Sequence, residues 1–156
     1  MKLGQTMALD QPSLKGRALR LLSLREHSRA ELERKLQPFE EEPGSLAQAL
    51  DELQAKGFIS EQRVIESVVH RRSAKLGTQR IRQELQSKGL APEAVLQAVE
   101  QLRATELDRA HEVWRKKFGS PPVDAAERAK QMRFLAGRGF GGEVIHMVVA
   151  GASLQE

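Results

Sequence analysis

The sequence predicts an all-α protein, an elongated tandem array of three three-helix repeats of about 50 residues each. Apolar residues recur at helical spacing along nearly the whole chain, and no stretch shows the strict alternation of a half-buried strand. The chain also resembles itself at offsets of 45 to 50 residues, which makes Leu36, Leu85 and Leu135 equivalent core positions. Because a three-helix unit of this size buries little core by itself, neighbouring units are expected to stack.

The first repeat is predicted to cover residues 13–58, after an N-terminal tail at 1–12. Its second helix begins at the capping box Ser28-Arg29-Ala30-Glu31, whose hydroxyl and carboxylate each accept a backbone N–H that the helix leaves unpaired. Its third helix ends at Lys56-Gly57-Phe58, where glycine can adopt the left-handed conformation and the lysine faces the negative helix end.

The second repeat is predicted at 60–104 and the third at 105–152. Two further glycine stop signals end helices in these repeats, at Lys88-Gly89-Leu90 and Arg138-Gly139-Phe140. Three helix starts are predicted in these repeats. Pro92 suits the first turn of a helix. Thr105 and Asp124 are side-chain acceptors that stand three residues before an acid, in Thr105-x-x-Asp108 and Asp124-x-x-Glu127.

Composition excludes several classes of function. The 156 residues contain no Cys, which removes disulfides, cysteine zinc sites and thiol nucleophiles. The four histidines lie 35 to 45 residues apart, so no metal site is expected, and no nucleophile has a recognisable base beside it. The chain is therefore predicted to be neither an enzyme nor a cofactor-binding protein. With no secretory or membrane-spanning segment recognisable, a cytoplasmic location is expected.

One motif has a functional and a structural interpretation. Residues 137–142 satisfy the G-x-G-x-x-G pattern of dinucleotide-binding folds. That chemistry requires a strand before the motif and a βαβ unit around it, whereas here a helix is predicted before it. A helix stop is the favoured interpretation.

Charge is divided into zones along the chain. Residues 39–69 carry seven acids against two bases, a balance of −5, whereas residues 70–90 carry six bases against Glu84, a balance of +5. These six cations could converge at one helix junction and bind phosphates: Arg71, Arg72, Lys75, Arg80, Arg82 and Lys88. The alternative is an ordinary solvated face with cations near helix C termini. Aromatic residues are only 4% of the chain, so sequence-specific reading of bases is not implied.

Three blocks of sequence carry a family resemblance. They are ALRLLSLREHS at 18–28 running into ELERKL at 31–36, GTQRIRQELQSKGL at 77–90, and RFLAGRGF at 133–140. In this order they resemble the motifs of the RecX family of bacterial recombinase regulators, over a span from about Leu14 to Ala152. The family usually has aromatic residues where this chain has Val64, Ile65 and Val68, and an apolar residue in place of Gln131.

The resemblance implies a protein that binds RecA and its filaments on single-stranded DNA. Such a protein typically inhibits strand exchange, ATP hydrolysis and co-protease activity, and so acts in recombination, DNA repair and the SOS response. A monomer that binds DNA without sequence specificity is expected. The candidate residues for contact with RecA or DNA are the six cations of 70–90 together with two from the third block, Arg133 and Arg138. The alternative function is an independent nucleic-acid-binding module with helix-turn-helix-like units.

Overall fold

The computed structural model describes residues 11–154, with side chains through residue 151, and contains helices and no strand within that range. Most of the predicted tail at 1–12 therefore lies outside the described residues. The helices, numbered in chain order, are α1 (Leu14–Leu24), α2 (Arg29–Leu36), α3 (Ser45–Ala55), α4 (Glu61–Arg72), α5 (Thr78–Ser87), α6 (Pro92–Lys117), α7 (Ala125–Gly137) and α8 (Gly142–Leu154), with a 3-10 turn at Gln37–Phe39. The predicted all-α class is confirmed.

The chain divides into two compact units, residues 1–64 and 65–156. In the first, α1, α2 and α3 pack around one apolar core. That core consists of Ala18, Leu32, Leu36, Leu46, Leu50, Leu53 and Ile59. The capping box predicted at Ser28 and Glu31 is formed with both of its hydrogen bonds, and it fixes where α2 begins.

In the second unit α6 packs against α5, α7 and α8, and α7 packs against α8. One core of this unit is formed by Ala110, Val113, Trp114, Leu135, Phe140, Ile145, Val148 and Val149. The three leucines predicted to be equivalent are all buried, Leu36 at 2% exposure and Leu85 and Leu135 at 0%. Each lies on the second helix of its repeat, as the repeat pattern predicts.

The buried Gln131 departs from the apolar pattern, yet both polar atoms of its side chain form a hydrogen bond. Its side chain is 0% exposed, and its Oε1 accepts the indole N–H of Trp114 at 2.9 Å. Its Nε2 donates to the carbonyl of Ser120 at 3.1 Å. A buried amide costs little once its donor and acceptor are paired, and here it ties α7 to α6 and to the loop between them.

The predicted helix start at Thr105 is wrong. Helix α6 runs without interruption from Pro92 to Lys117, across the predicted boundary between residues 104 and 105. Thr105 lies within the helix, where its hydroxyl donates to the carbonyl of Leu102 at 3.3 Å. Neither Gly nor Pro occurs between residues 93 and 118, so nothing ends the helix at the cap-like sequence. The third helix of repeat two and the first of repeat three are thus continuous.

The other predicted helix signals are confirmed. Asp124 caps α7 by accepting the N–H of Glu127, and α6 begins at Pro92. The three stop glycines all have positive φ: Gly57 at 85°, Gly89 at 66° and Gly139 at 93°. The G-x-G-x-x-G pattern is accordingly the end of one helix and the beginning of another.

Beside the α2 cap lies a buried neutral histidine. His27 is 1% exposed, with Nδ1 3.0 Å from the carbonyl of Arg25 and Nε2 3.1 Å from Nζ of Lys35. Because the carbonyl can only accept and the ammonium can only donate, Nδ1 carries the proton and Nε2 accepts. Burial lowers the pKa of His27 below 6.5, and the positive charges of Arg25 and Lys35 lower it further. The hydrogen bond to the Arg25 carbonyl and the negative charge of Glu31 raise the pKa, but they do not cancel the lowering.

We predict that the protein loses stability as pH falls below about 6.5, because the unfolded chain binds a proton at His27 before the folded chain does. Urea denaturation at several pH values between about 8 and about 5.5 measures the free energy of unfolding as a function of pH. This range lies above the titration of ordinary carboxylates, so they do not contribute to the change. His27→Gln should flatten the dependence, whereas His146→Gln, at an exposed histidine, should leave it unchanged. Equal slopes for the native chain and His27→Gln would contradict the assignment.

Candidate nucleic-acid interface

Two of the predicted cations share one carboxylate. Nε of Arg72 donates to Oε1 of Glu84 at 3.0 Å, and Nη2 of Arg71 lies 3.6 Å from Oε2 of the same carboxylate. These pairs connect the end of α4 to α5. Exposed ion pairs such as these contribute at most about 1 kcal/mol each to the stability of the fold. They nevertheless hold both guanidinium groups beside the carboxylate of Glu84.

Arg80 is tied to the backbone of α7. Its Nη1 donates to the carbonyl of Gly137 at 2.8 Å and so satisfies an acceptor at the end of that helix. The aliphatic stem lies against Gly139, where an added Cβ would stand 2.2 Å from Cγ of Arg80. The predicted phosphate contact is thus, in this structure, a link between α5 and the loop after α7.

Around Arg80 the backbones of two loops meet directly. The N–H of Gly77 donates to the carbonyl of Arg138 at 2.8 Å, and that of Gln79 donates to the carbonyl of Gly139 at 3.2 Å. A Cβ on Gly77 would lie 2.3 Å from the carbonyl carbon of Gly139, closer than any side chain permits. Glycine is therefore required at position 77 by close approach and at 139 by both close approach and its positive φ.

Two residues of α6 complete this junction. The carboxylate of Glu106, 7% exposed, accepts the N–H of Thr78 at 2.8 Å. Arg109 donates to the carbonyls of Ser73 at 3.0 Å and Leu76 at 2.7 Å. Burial lowers the pKa of the Arg109 guanidinium, and Glu106 opposes that shift. The first N–H groups of α5 are therefore paired by residues of α6 and of the loop after α7.

Beside the junction, cations from three segments line one groove of about 400 Å³. Lys75 comes from the loop after α4, Lys116 and Lys117 from the last turn of α6, and Arg138 from the C-cap of α7. The rest of the lining is formed by Ala74, Val113 and Phe134. Sequence reasoning identified Lys75 and Arg138 but missed Lys116 and Lys117. The run Arg115-Lys116-Lys117 was the available signal.

Phe134 positions two of these cations. The guanidinium carbon of Arg138 lies 4.9 Å from the ring centroid and Nζ of Lys117 lies 5.4 Å from it. The ring is itself held in an edge-to-face contact with Phe118, with centroids 5.4 Å apart. Such cation–π contacts hold long side chains in place and contribute about 0.5 to 1 kcal/mol each at exposed sites.

The remaining predicted cations lie elsewhere. Arg82 lines a separate groove with Gln86, Leu90, Pro92, Val95, Leu96 and Val99. Lys88 is the C-cap of α5, and Arg133 is exposed on α7. The structure thus brings Lys75 and Arg138 together in one groove, with Arg80 at the adjacent junction, and leaves the other five predicted residues outside that groove.

Across residues 11–154 no three His, Asp or Glu side chains gather as metal ligands would. Within the same residues, no helix combines the length and the apolar character needed to cross a bilayer. What the groove offers is positive charge, which suits an anionic ligand.

Family models match the chain along most of its length. The models described as the first, second and third three-helix domains of RecX match residues 15–53, 60–99 and 104–149, in that order. A Regulatory protein RecX of Leptothrix cholodnii is 54% identical over 145 residues, which are 92% of each chain. One from Ralstonia nicotianae is 49% identical over 94% of this chain and 93% of its own.

Solved structures agree in fold. The crystal structure of RecX from Lactobacillus salivarius superposes with a TM-score of 0.75 at 18% identity, over 90% of this chain and 95% of that one. A second crystal structure, of a regulatory protein RecX, gives a TM-score of 0.70 at 20% identity, over 86% of this chain and 70% of that one. At these identities the likeness shows the fold.

We predict that Gly77→Ala costs about 1 to 3 kcal/mol of stability, because its methyl group overlaps the backbone of Gly139. The matched control is Gly137→Ala, where a Cβ meets no atom within 4 Å and the residue is helical. That variant should be neutral or up to about 1 kcal/mol more stable. Urea denaturation followed by circular dichroism measures both. A Gly77→Ala variant as stable as the control would show that the loops do not meet as described.

Proposed function

Because the chain belongs to the RecX family of regulatory proteins, we propose that it binds RecA and RecA filaments on single-stranded DNA and lowers RecA activity. The activities affected are strand exchange, ATP hydrolysis and co-protease function. The observation that carries the proposal is the match to all three RecX domains in order, together with 54% identity to a relative over 92% of the chain. We further propose that the protein is a monomer and that it acts in the cytoplasm.

The proposed mechanism is differential binding. A protein that binds one filament state better than another shifts RecA toward the state it prefers, by no more than the difference between the two affinities. No catalytic step by this chain is needed, and any ATP hydrolysed is hydrolysed by RecA. Exposed cations of the second unit, four of which line one groove, support contact with an acidic filament surface or with its DNA.

The proposed contact surface comprises the cations predicted from the sequence. The ion pairs of Arg71 and Arg72 with Glu84, and the hydrogen bond of Arg80 to Gly137, indicate that these three arginines contribute to the fold as well. Lys75, Arg82, Arg133 and Arg138 have no carboxylate partner among the described residues and are the better candidates for direct contact.

We predict that the protein, at or below a one-to-one ratio to RecA, lowers the DNA-dependent ATP hydrolysis of RecA filaments. The physical reason is altered occupancy of the filament by RecA subunits. Hydrolysis should be measured both from preformed filaments and from free RecA added to DNA that already carries the protein. Co-sedimentation with RecA in the absence of DNA provides the binding control.

The two starting points separate the alternatives. A nucleic-acid-binding module that only competes for bare DNA would slow assembly and leave preformed filaments unaffected, and excess DNA would relieve its effect. A RecA regulator lowers hydrolysis from both starting points. Unchanged hydrolysis in both assays, with no co-sedimentation, would contradict the proposal.

A further inference from the structure

We propose that the groove lined by Lys75, Lys116, Lys117 and Arg138 binds the phosphate backbone of single-stranded DNA. This inference rests on the DNA-binding part of the proposed function and assigns it to one site. The proposed site excludes Arg71, Arg72 and Arg80. The first two pair with Glu84, and the third donates a hydrogen bond to the carbonyl of Gly137.

The groove carries positive charge with little negative charge beside it. No carboxylate lines the groove, and Lys75, Lys117 and Arg138 have no acidic partner among the described residues. Lys116 has Glu112 at 4.0 Å, but that carboxylate is hydrogen-bonded to Arg115 at 2.6 Å. Arg115, followed by Lys116, lowers the pKa of Glu112, which therefore stays ionised and mostly committed to Arg115.

The simplest structural role for these cations is to offset helix dipoles. The groove lies at the C-terminal ends of α6 and α7. Each helix end carries about −0.5 charge, so two ends offset about one of the four positive charges. About three remain unbalanced around one concave surface, and a polyanion would relieve their mutual repulsion.

The apolar part of the groove lining indicates the kind of ligand. Besides the four cations, the lining consists of the apolar residues Ala74, Val113 and Phe134. A DNA strand presents both apolar sugar surface and one phosphate for each nucleotide, so it matches a groove lined by apolar and cationic side chains together. Arg138 and Lys117 lie over the Phe134 ring, which makes the ring a support for cations, and binding is therefore independent of base sequence.

The test is the salt dependence of binding to a fluorescein-labelled oligothymidylate, followed by fluorescence anisotropy. For single strands, each phosphate contact contributes about −0.7 to the slope of log affinity against log salt. Lys116→Gln/Lys117→Gln should therefore flatten the slope by about 1.4, which at 0.1 M salt is about a 25-fold loss of affinity. Lys116→Arg/Lys117→Arg keeps the charges and should keep the slope.

The matched control is Arg128→Gln/Lys130→Gln, which removes the same charge from exposed positions of α7 outside the groove. Its slope should stay within about half a unit of the native value. Thermal melting checks that each variant folds. If the Lys116/Lys117 variant does not fold, Lys75→Gln in the exposed loop before α5 tests the same groove, with an expected flattening of about 0.7.

Three results would overturn the inference, and they are distinguishable from failure of the proposed function. The first is a slope for the groove variant equal to that of the control. The second is a groove variant that binds DNA as the native chain does but no longer co-sediments with RecA in the absence of DNA. That result would make the groove a site for an acidic protein surface. The third is no DNA binding by the native chain while RecA hydrolysis is still lowered, in which case RecA regulation stands and the DNA site does not.

Discussion

The backbone contact between Gly77 and Gly139 is the constraint on which the second unit of this protein depends. The N–H of Gly77 reaches the carbonyl of Arg138 at 2.8 Å, and no side chain fits between the two loops. The contact supplies hydrogen-bond acceptors to the start of α5 and places Arg80 on the end of α7. It also fixes the loop that carries Lys75 and the C-cap that carries Arg138, so the basic groove is a consequence of the same packing.

Much of the fold could be predicted from local sequence. The capping box at Ser28 and the cap at Asp124 each involve a side chain and a backbone group three residues apart, so the chain encodes them locally. The burial of Leu36, Leu85 and Leu135 followed from self-similarity, because equivalent positions in a repeat face equivalent cores. Thr105 shows the limit of this reasoning, since a cap sequence starts a helix only where the preceding turn can end.

The candidate site was less predictable, because its contacts join residues that are distant in sequence. Arg80 and Gly137 are 57 residues apart, and Thr78 and Glu106 are 28 apart, so no local pattern marks either pair. Charge clustering identified the region but could not separate the arginines held by Glu84 from Lys75, which has no acidic partner among the described residues. Lys116 and Lys117 were missed because they lie in another repeat and reach the groove only when α6 packs beside the loop after α4.

The proposal that this protein binds RecA filaments and alters them is best tested by electron cryomicroscopy of such filaments on single-stranded DNA, with and without the protein. The expected result is density for the chain on the filament, together with altered filament length and with Lys75 and Arg138 toward the DNA backbone. Filaments of unchanged length without added density, at protein concentrations equal to RecA, would contradict it.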